Sequence, residues 1–100
     1  MTDEAIEWLD RAYKANPDSL QNYASALVNN DRANRAVELC ADHFETHGDA
    51  RSAVLLVESL VAAGQPQTSP EHQALIKSAL AKFDKNSSLA EGVATLLMKQ

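Results

Sequence analysis

The sequence has few residues that interrupt a helix or cross-link a chain. It contains three glycines, three prolines and one cysteine among 100 residues. A single cysteine cannot form an internal disulfide. So few glycines and prolines, together with 45% hydrophobic residues, favour a folded helical chain over a disordered one. The length suits one small domain.

Positive charge is also scarce. Nine lysines and arginines against fourteen aspartates and glutamates give a formal net charge of −5, and both signs are scattered along the chain. No basic stretch could follow a phosphate backbone or an anionic membrane surface. We therefore expect neither nucleic acid nor a membrane among the partners.

Long apolar runs are missing as well. The longest strongly apolar run, 53–57, is ended by Glu58, whereas about 20 apolar residues are needed to cross a bilayer. Residues 1–4 are acidic where a secretory signal would be basic and then apolar. These features predict a cytoplasmic protein, although a segment of a longer chain would have lost any signal.

Few residues suggest chemistry. No Gly-x-Ser-x-Gly elbow and no glycine-rich phosphate loop occur. His43 and His47 have the spacing of a zinc-binding pair, but Phe44 stands where a zinc protease has its general base, so we interpret the pair as solvated surface. Cys40 lies on an apolar stripe, which predicts an inert buried thiol with a raised pKa. We expect no catalysis, no cofactor and no metal.

One spacing recurs three times: an alanine, residues four and seven positions later, and a helix breaker twelve positions later. The three sets are Ala5, Leu9, Ala12, Pro17; Ala36, Cys40, His43, Gly48; and Ala74, Ser78, Ala81, Asn86. Apolar residues elsewhere also recur at helical spacing and do not alternate persistently as in a strand. The pattern predicts six antiparallel helices at about residues 2–16, 18–30, 32–47, 49–63, 69–84 and 88–99.

Local signals mark several predicted helix ends. Gly48 can adopt the left-handed conformation that ends a helix. Thr68 and Ser88 each precede a glutamate by three residues, which is the spacing of a capping box at a helix start.

The repeat resembles a known family. The pattern Ala-Ile-x-x-x-Leu-x-x-Ala-x-x-x-x-Pro at residues 5–17 is similar to the second helix of a tetratricopeptide repeat, and 36–48 and 74–86 resemble it more loosely. A repeat in that family has about 34 residues, arranged as helix A, a turn and helix B. Here the breakers Pro17, Gly48 and Asn86 are 31 and 38 residues apart. The resemblance implies an all-α fold, a right-handed superhelix of stacked helical hairpins.

The phase of the repeat implies uncovered ends. The first predicted helix resembles a B helix without its A partner, and the sixth resembles an A helix without its B partner. We therefore expect the chain to be a segment of a larger protein, or its terminal helices to pair with other copies of the chain.

In this family the A helices line a concave groove, so the resemblance implies a non-catalytic scaffold that binds a peptide or a helix of a partner protein. The second, fourth and sixth helices would build that groove. Its expected lining is Gln21, Ala24, Val28, Ser52, Leu55, Ser59, Ala90 and Val93. On this hypothesis Leu55→Glu leaves helicity intact and abolishes partner binding.

The aromatic residues divide into two groups. Tyr13 and Tyr23 are predicted to pack where the first two helices meet, whereas Trp8 flanks the apolar stripe. An exposed Trp8 would suggest contact with a preceding repeat. Two alternatives to the scaffold hypothesis remain open here: an accessory domain that positions a catalytic domain of a longer chain, and a helical enzyme or metal protein that uses His43 and His47.

Overall fold

The computed structural model describes residues 3–64 and 69–98. Over these residues the chain forms six α-helices and one short 3₁₀ turn, with no strand, so the predicted all-α class is confirmed. The elements are α1 (Asp3–Ala15), the 3₁₀ turn (Pro17–Ser19), α2 (Leu20–Asn29), α3 (Ala33–His47), α4 (Ala50–Ala63), α5 (Pro70–Lys82) and α6 (Ser87–Met98). The predicted second helix thus divides into the 3₁₀ turn and α2. The predicted limits at residues 2 and 99 lie outside the described residues.

Two helices end at glycines with left-handed backbone. Gly48 follows α3 with φ 64°, and Gly64 follows α4 with φ 68°. The amide of Gly48 donates to the carbonyl oxygen of Phe44 at 2.8 Å. Glycine adopts this conformation without the steric cost that a Cβ adds, which is why these positions stop the helices.

The start of α6 differs from the expectation. The helix begins at Ser87, and the Asn86 side-chain oxygen accepts a hydrogen bond from the Leu89 amide at 3.0 Å. The expected capping role of Ser88 is therefore wrong, because Ser88 already lies inside the first turn and Asn86 occupies the capping position before it. At the start of α5 the capping side chain is Ser69. The expected cap Thr68 lies outside the described residues.

The central element is α4, which packs against α2, α3, α5 and α6. Its buried residues are Ser52, Ala53, Leu55, Leu56, Val57, Ser59 and Leu60. A helix buried on most of its circumference needs apolar residues on most sides, which accounts for the apolar run at 53–57. Within the described part of the chain, no helix combines the length and apolarity that a membrane span requires.

Buried side chains form two adjoining clusters. The larger cluster is centred on α3 and α4 and takes residues from α2, α5 and α6. The smaller cluster joins α1, α2 and α3 through Ile6, Tyr23, Leu27 and Ala36. Half-buried Tyr13 packs against both clusters, so the two are continuous.

The even-numbered helices are neighbours in chain order. α2 contacts α4, and α4 contacts α6, while α3 contacts α5 among the odd-numbered helices. Consecutive helices also pack together from α1 to α5, and α3 with α4 forms the most extensive of these pairs. The surface of α2, α4 and α6 is therefore a continuous row of three helices.

Candidate functional site

A shallow groove follows the row formed by α2, α4 and α6, and we call it the even-helix groove. It consists of two clefts, one of about 140 Å³ between α2 and α4 and one of about 320 Å³ between α4 and α6. The first is lined by Ala24, Ser25, Val28, Asn29, Leu55, Glu58 and Ser59, and the second by Glu58, Val61, Ser88, Glu91, Gly92 and Thr95. Glu58 lines both clefts, so it lies at the centre of the groove.

The predicted groove residues fall in different environments. Ala24, Val28, Leu55 and Ser59 line the first cleft. The other four predicted residues, Gln21, Ser52, Ala90 and Val93, are absent from the linings of both clefts. The structure therefore brings half of the predicted set together at one place.

Ser52 is the clearest departure from the prediction. It is 0% exposed, and its hydroxyl donates to the backbone carbonyl of Asp49 at 3.0 Å and also contacts the Asp49 carboxylate. A side chain with no accessible surface cannot line a groove, so Ser52 supports the start of α4 instead. Gln21 and Ala90 are exposed on α2 and α6, and Val93 faces a separate cleft between α5 and α6.

The floor and the rim of the even-helix groove differ chemically. Ala24, Leu55 and Ser59 are buried and supply a floor that is largely part of the core. The exposed rim consists of polar side chains, with the carboxylates of Glu58 and Glu91 one on each side of the α4/α6 cleft. Among the residues that the structure describes, no lysine or arginine lines either cleft. The even-helix groove therefore has a narrow, mainly apolar floor and an acidic rim.

Sequence reasoning missed the two glutamates. Glu58 follows Leu55 by three residues, and Glu91 follows Ser88 by three, so helical spacing alone places each beside a lining residue. The predicted lining contained neither of them. The sequence predicted that Leu55→Glu leaves helicity intact. The structure argues against this, because Leu55 is only 8% exposed and packs in the larger cluster. A carboxylate there would be buried without a partner.

A second candidate site surrounds His43. Its side chain is 6% exposed and lines an open cleft of about 530 Å³. The other residues of this cleft are Pro17, Asp18, Leu20, Asp49 and Arg51. The loops after α1 and α3 therefore lie beside each other at this edge of the molecule.

Both ring nitrogens of His43 face protein groups. Nδ1 lies 2.6 Å from the Tyr13 hydroxyl, and Nε2 lies 3.6 Å from a carboxylate oxygen of Asp49. The carboxylate favours a hydrogen on Nε2, so Nδ1 accepts the hydrogen bond that Tyr13 donates. Burial lowers the pKa of His43, and the adjacent His47 lowers it further. The carboxylates of Asp49 and Asp18 raise it, but by less than the two lowering effects. His43 is thus held neutral as a structural link between α1, α3 and the start of α4.

The interpretation of His43 and His47 as solvated surface is wrong for His43, which is buried. The two rings stack with centroids 4.1 Å apart, and Nδ1 of His47 donates to the His43 carbonyl oxygen at 3.3 Å. Among the residues that the structure describes, no three histidine, cysteine, aspartate or glutamate side chains are grouped to hold a metal ion.

The remaining reactive and aromatic side chains lie in the core or at one end. Cys40 is fully buried, and burial raises its pKa to about 12, so its predicted burial and raised pKa are confirmed. Tyr13 and Tyr23 pack with ring centroids 6.1 Å apart between α1 and α2, as predicted. Trp8 is 61% exposed, with the guanidinium of Arg11 4.9 Å from its ring centre.

No protein family, curated protein or solved structure matches this chain. Its function is therefore inferred from its own surfaces and contacts.

Proposed function

We propose that the chain is a tetratricopeptide-like interaction module that catalyses nothing and binds a segment of a partner protein in the even-helix groove. The arrangement of helix contacts supports the stacked-hairpin part of this proposal. Even-numbered helices adjoin one another, and α3 adjoins α5, as in arrays where each hairpin packs against the next. A right-handed superhelix is the arrangement that such stacking favours.

The observation on which the binding proposal depends is that Glu58 lines both clefts. Both clefts have Glu58 in their lining, and together their lining residues come from α2, α4 and α6. An extended peptide or a helix could follow such a surface over all three helices. A single isolated pocket would suit a small molecule better.

The chemistry of the groove narrows the kind of partner segment. Glu58 and Glu91 are exposed at the rim, and the buried floor contributes small or branched apolar groups such as Ala24 and Leu55. A segment that places lysine or arginine beside small apolar residues would match both features. Charge complementarity of this type raises the association rate and excludes acidic competitors.

Peptide selection followed by two charge reversals tests the proposal. Random peptides displayed on phage are selected on the wild-type protein, and the affinities of the enriched sequences are measured by fluorescence anisotropy. We expect the enriched peptides to be basic. We expect Glu58→Lys to weaken their binding about tenfold, which corresponds to about 1.4 kcal/mol.

The matched control is Glu45→Lys, which makes the same charge change at an exposed position of α3. It should leave the affinity unchanged. Equal losses in the two variants would show a long-range charge effect, and no loss in Glu58→Lys would place the binding surface elsewhere. Circular dichroism of both variants verifies that they remain helical.

A further inference from the structure

The large hydrophobic side chains that are exposed in the described residues occur on the first and the last helix. Trp8 on α1 is 61% exposed, and Leu97 and Met98 on α6 are 60% and 78% exposed. α1 packs mainly on α2 and the 3₁₀ turn, whereas α6 packs mainly on α4. The exposed apolar groups therefore lie on the first and last helices of the described chain, which we call the α1 end and the α6 end.

The α6 end contains a cleft that is more apolar than the two clefts of the even-helix groove and the cleft beside His43, and we call it the α5/α6 cleft. It has a volume of about 340 Å³ and is lined by Gln73, Ile76, Lys77, Leu80, Val93, Leu96 and Leu97. Five of these seven residues are apolar. Lys77 supplies the charge of the lining. The cleft can thus accept an apolar side chain whose neighbours are acidic.

The α1 end presents such a side chain. Trp8 projects from α1, and Glu4 and Glu7 are exposed on the turn that precedes it. Arg11 is close to Trp8, but its guanidinium also lies 3.1 Å from the Glu7 carboxylate. The surroundings of Trp8 therefore combine a protruding aromatic ring with a net negative charge.

We propose that Trp8 of one copy of this chain inserts into the α5/α6 cleft of a second copy, with Glu4 and Glu7 facing Lys77. Shape supports this occupant because a protruding ring meets a concave apolar surface. Charge supports it because an acidic helix meets a basic cleft. The surface is distinct from the even-helix groove, so this inference does not depend on the proposed function.

The same charges disfavour the symmetric alternatives. A dimer formed by two α5/α6 clefts brings both Lys77 side chains into one interface, and a dimer formed by two α1 helices brings together their glutamates. Head-to-tail contact avoids both repulsions. Such a heterologous interface, when its rotation does not close a ring, leaves one unused end of each type after every addition, so association continues beyond a dimer.

Two variants, each of which removes one of the two contact surfaces, test the proposal by sedimentation velocity at protein concentrations from about 10 μM to about 1 mM. Trp8→Lys removes the inserted ring and leaves the cleft intact. Leu97→Glu obstructs the cleft and leaves Trp8 intact. Both positions are exposed, so neither change disturbs the core.

The wild-type protein should increase in average mass with concentration and pass the mass of a dimer. Each variant alone should stay monomeric at the same concentrations. An equimolar mixture of the two should form a heterodimer and grow no further, because only one productive pair of ends remains. The control Glu45→Lys, at an exposed position of α3, should associate as the wild type does.

Three results would overturn the proposal. The first is a wild-type protein that stays monomeric throughout. The second is self-association of Trp8→Lys alone, which would indicate that two clefts pair with each other. The third is a mixture of the two variants that remains monomeric although circular dichroism shows both to be folded.

Discussion

The hydroxyl of Tyr13 lies 2.6 Å from Nδ1 of His43, and this hydrogen bond joins α1 to α3 across 30 residues of sequence. His43 is buried and Tyr13 is half-buried, and their ring centroids are 5.7 Å apart. If the donor is removed, the buried imidazole nitrogen has no hydrogen bond to offset the free-energy cost of its desolvation. The contact therefore helps to fix the first helix on the rest of the chain.

Tyr13→Phe should destabilise the protein by about 1–2 kcal/mol, because it leaves Nδ1 of His43 without its donor. Urea unfolding followed by circular dichroism measures the change. The control is Tyr23→Phe, which removes longer contacts of 3.4 Å to Asp10 and Arg35. If Tyr13→Phe costs no more than Tyr23→Phe, the Tyr13 bond has no special structural role.

Stability should fall as the pH is lowered through the ordinary titration range of histidine. Burial lowers the pKa of His43 in the folded protein below the ordinary value of 6.5, which the unfolded chain retains. Between these two pKa values the unfolded chain binds a proton that the folded chain does not. The loss begins as the pH falls past about 6.5 and stops once it is below the folded pKa.

The measurement is the urea midpoint at pH 7.5 and at lower pH values for the wild type and for His43→Phe. The variant lacks the titrating ring, so its stability should change less over this range. His72→Gln serves as the control, because His72 lies on α5 away from the Tyr13 contact. A wild type whose stability is flat from neutral pH to pH 5 would contradict the assignment.

Gly48→Ala should destabilise the protein more than Gly64→Ala. Both glycines have positive φ values near 65°, so a Cβ costs about 1 kcal/mol at either position. At Gly48 the added Cβ would also lie 2.9 Å from Nζ of Lys82, whereas at Gly64 no described residue beyond its chain neighbours lies within 4 Å of it. Lys82 donates to the Gly48 carbonyl oxygen at 2.7 Å and links α5 to the end of α3.

Thermal unfolding of the two alanine variants gives this comparison directly. Lys82→Ala separates the causes, because Gly48→Ala in that background should lose its excess cost and match Gly64→Ala. An excess that persists without the lysine would show that the backbone alone is responsible.

Cys40 should react very slowly with iodoacetamide in the native protein. The thiol is fully buried and its pKa is raised to about 12, so almost no thiolate is present at neutral pH. Mass spectrometry of samples labelled with and without urea measures the difference. The unfolded chain provides the control and should label rapidly, whereas similar rates in both states would show that the core around Cys40 opens readily.

The helices were predictable because their signals are local. Apolar spacing identified each of them, and Gly48 marked the end of α3 as expected. Pairings between distant residues were not predictable, because they depend on how helices cross. The bond from Tyr13 to His43 is such a case, since neither residue's neighbours in sequence indicate the other.

The lining of the even-helix groove was also only partly predictable from the sequence. Helical spacing placed Ser52, Leu55 and Ser59 on one face of α4, but the turn before α4 determines that Ser52 is covered. Glu58 was not among the predicted lining residues. Only the structure shows that Glu58 lines both the α2/α4 and the α4/α6 cleft.

The most direct test of the proposed module is amide chemical-shift mapping by NMR with a peptide selected on the wild-type protein. The account predicts the largest changes along α2, α4 and α6, at Ser25, Glu58 and Glu91, with small changes on the exposed faces of α1, α3 and α5. Changes concentrated around His43 and Arg51, or along the odd-numbered helices, would contradict the claim that the even-helix groove is the binding site.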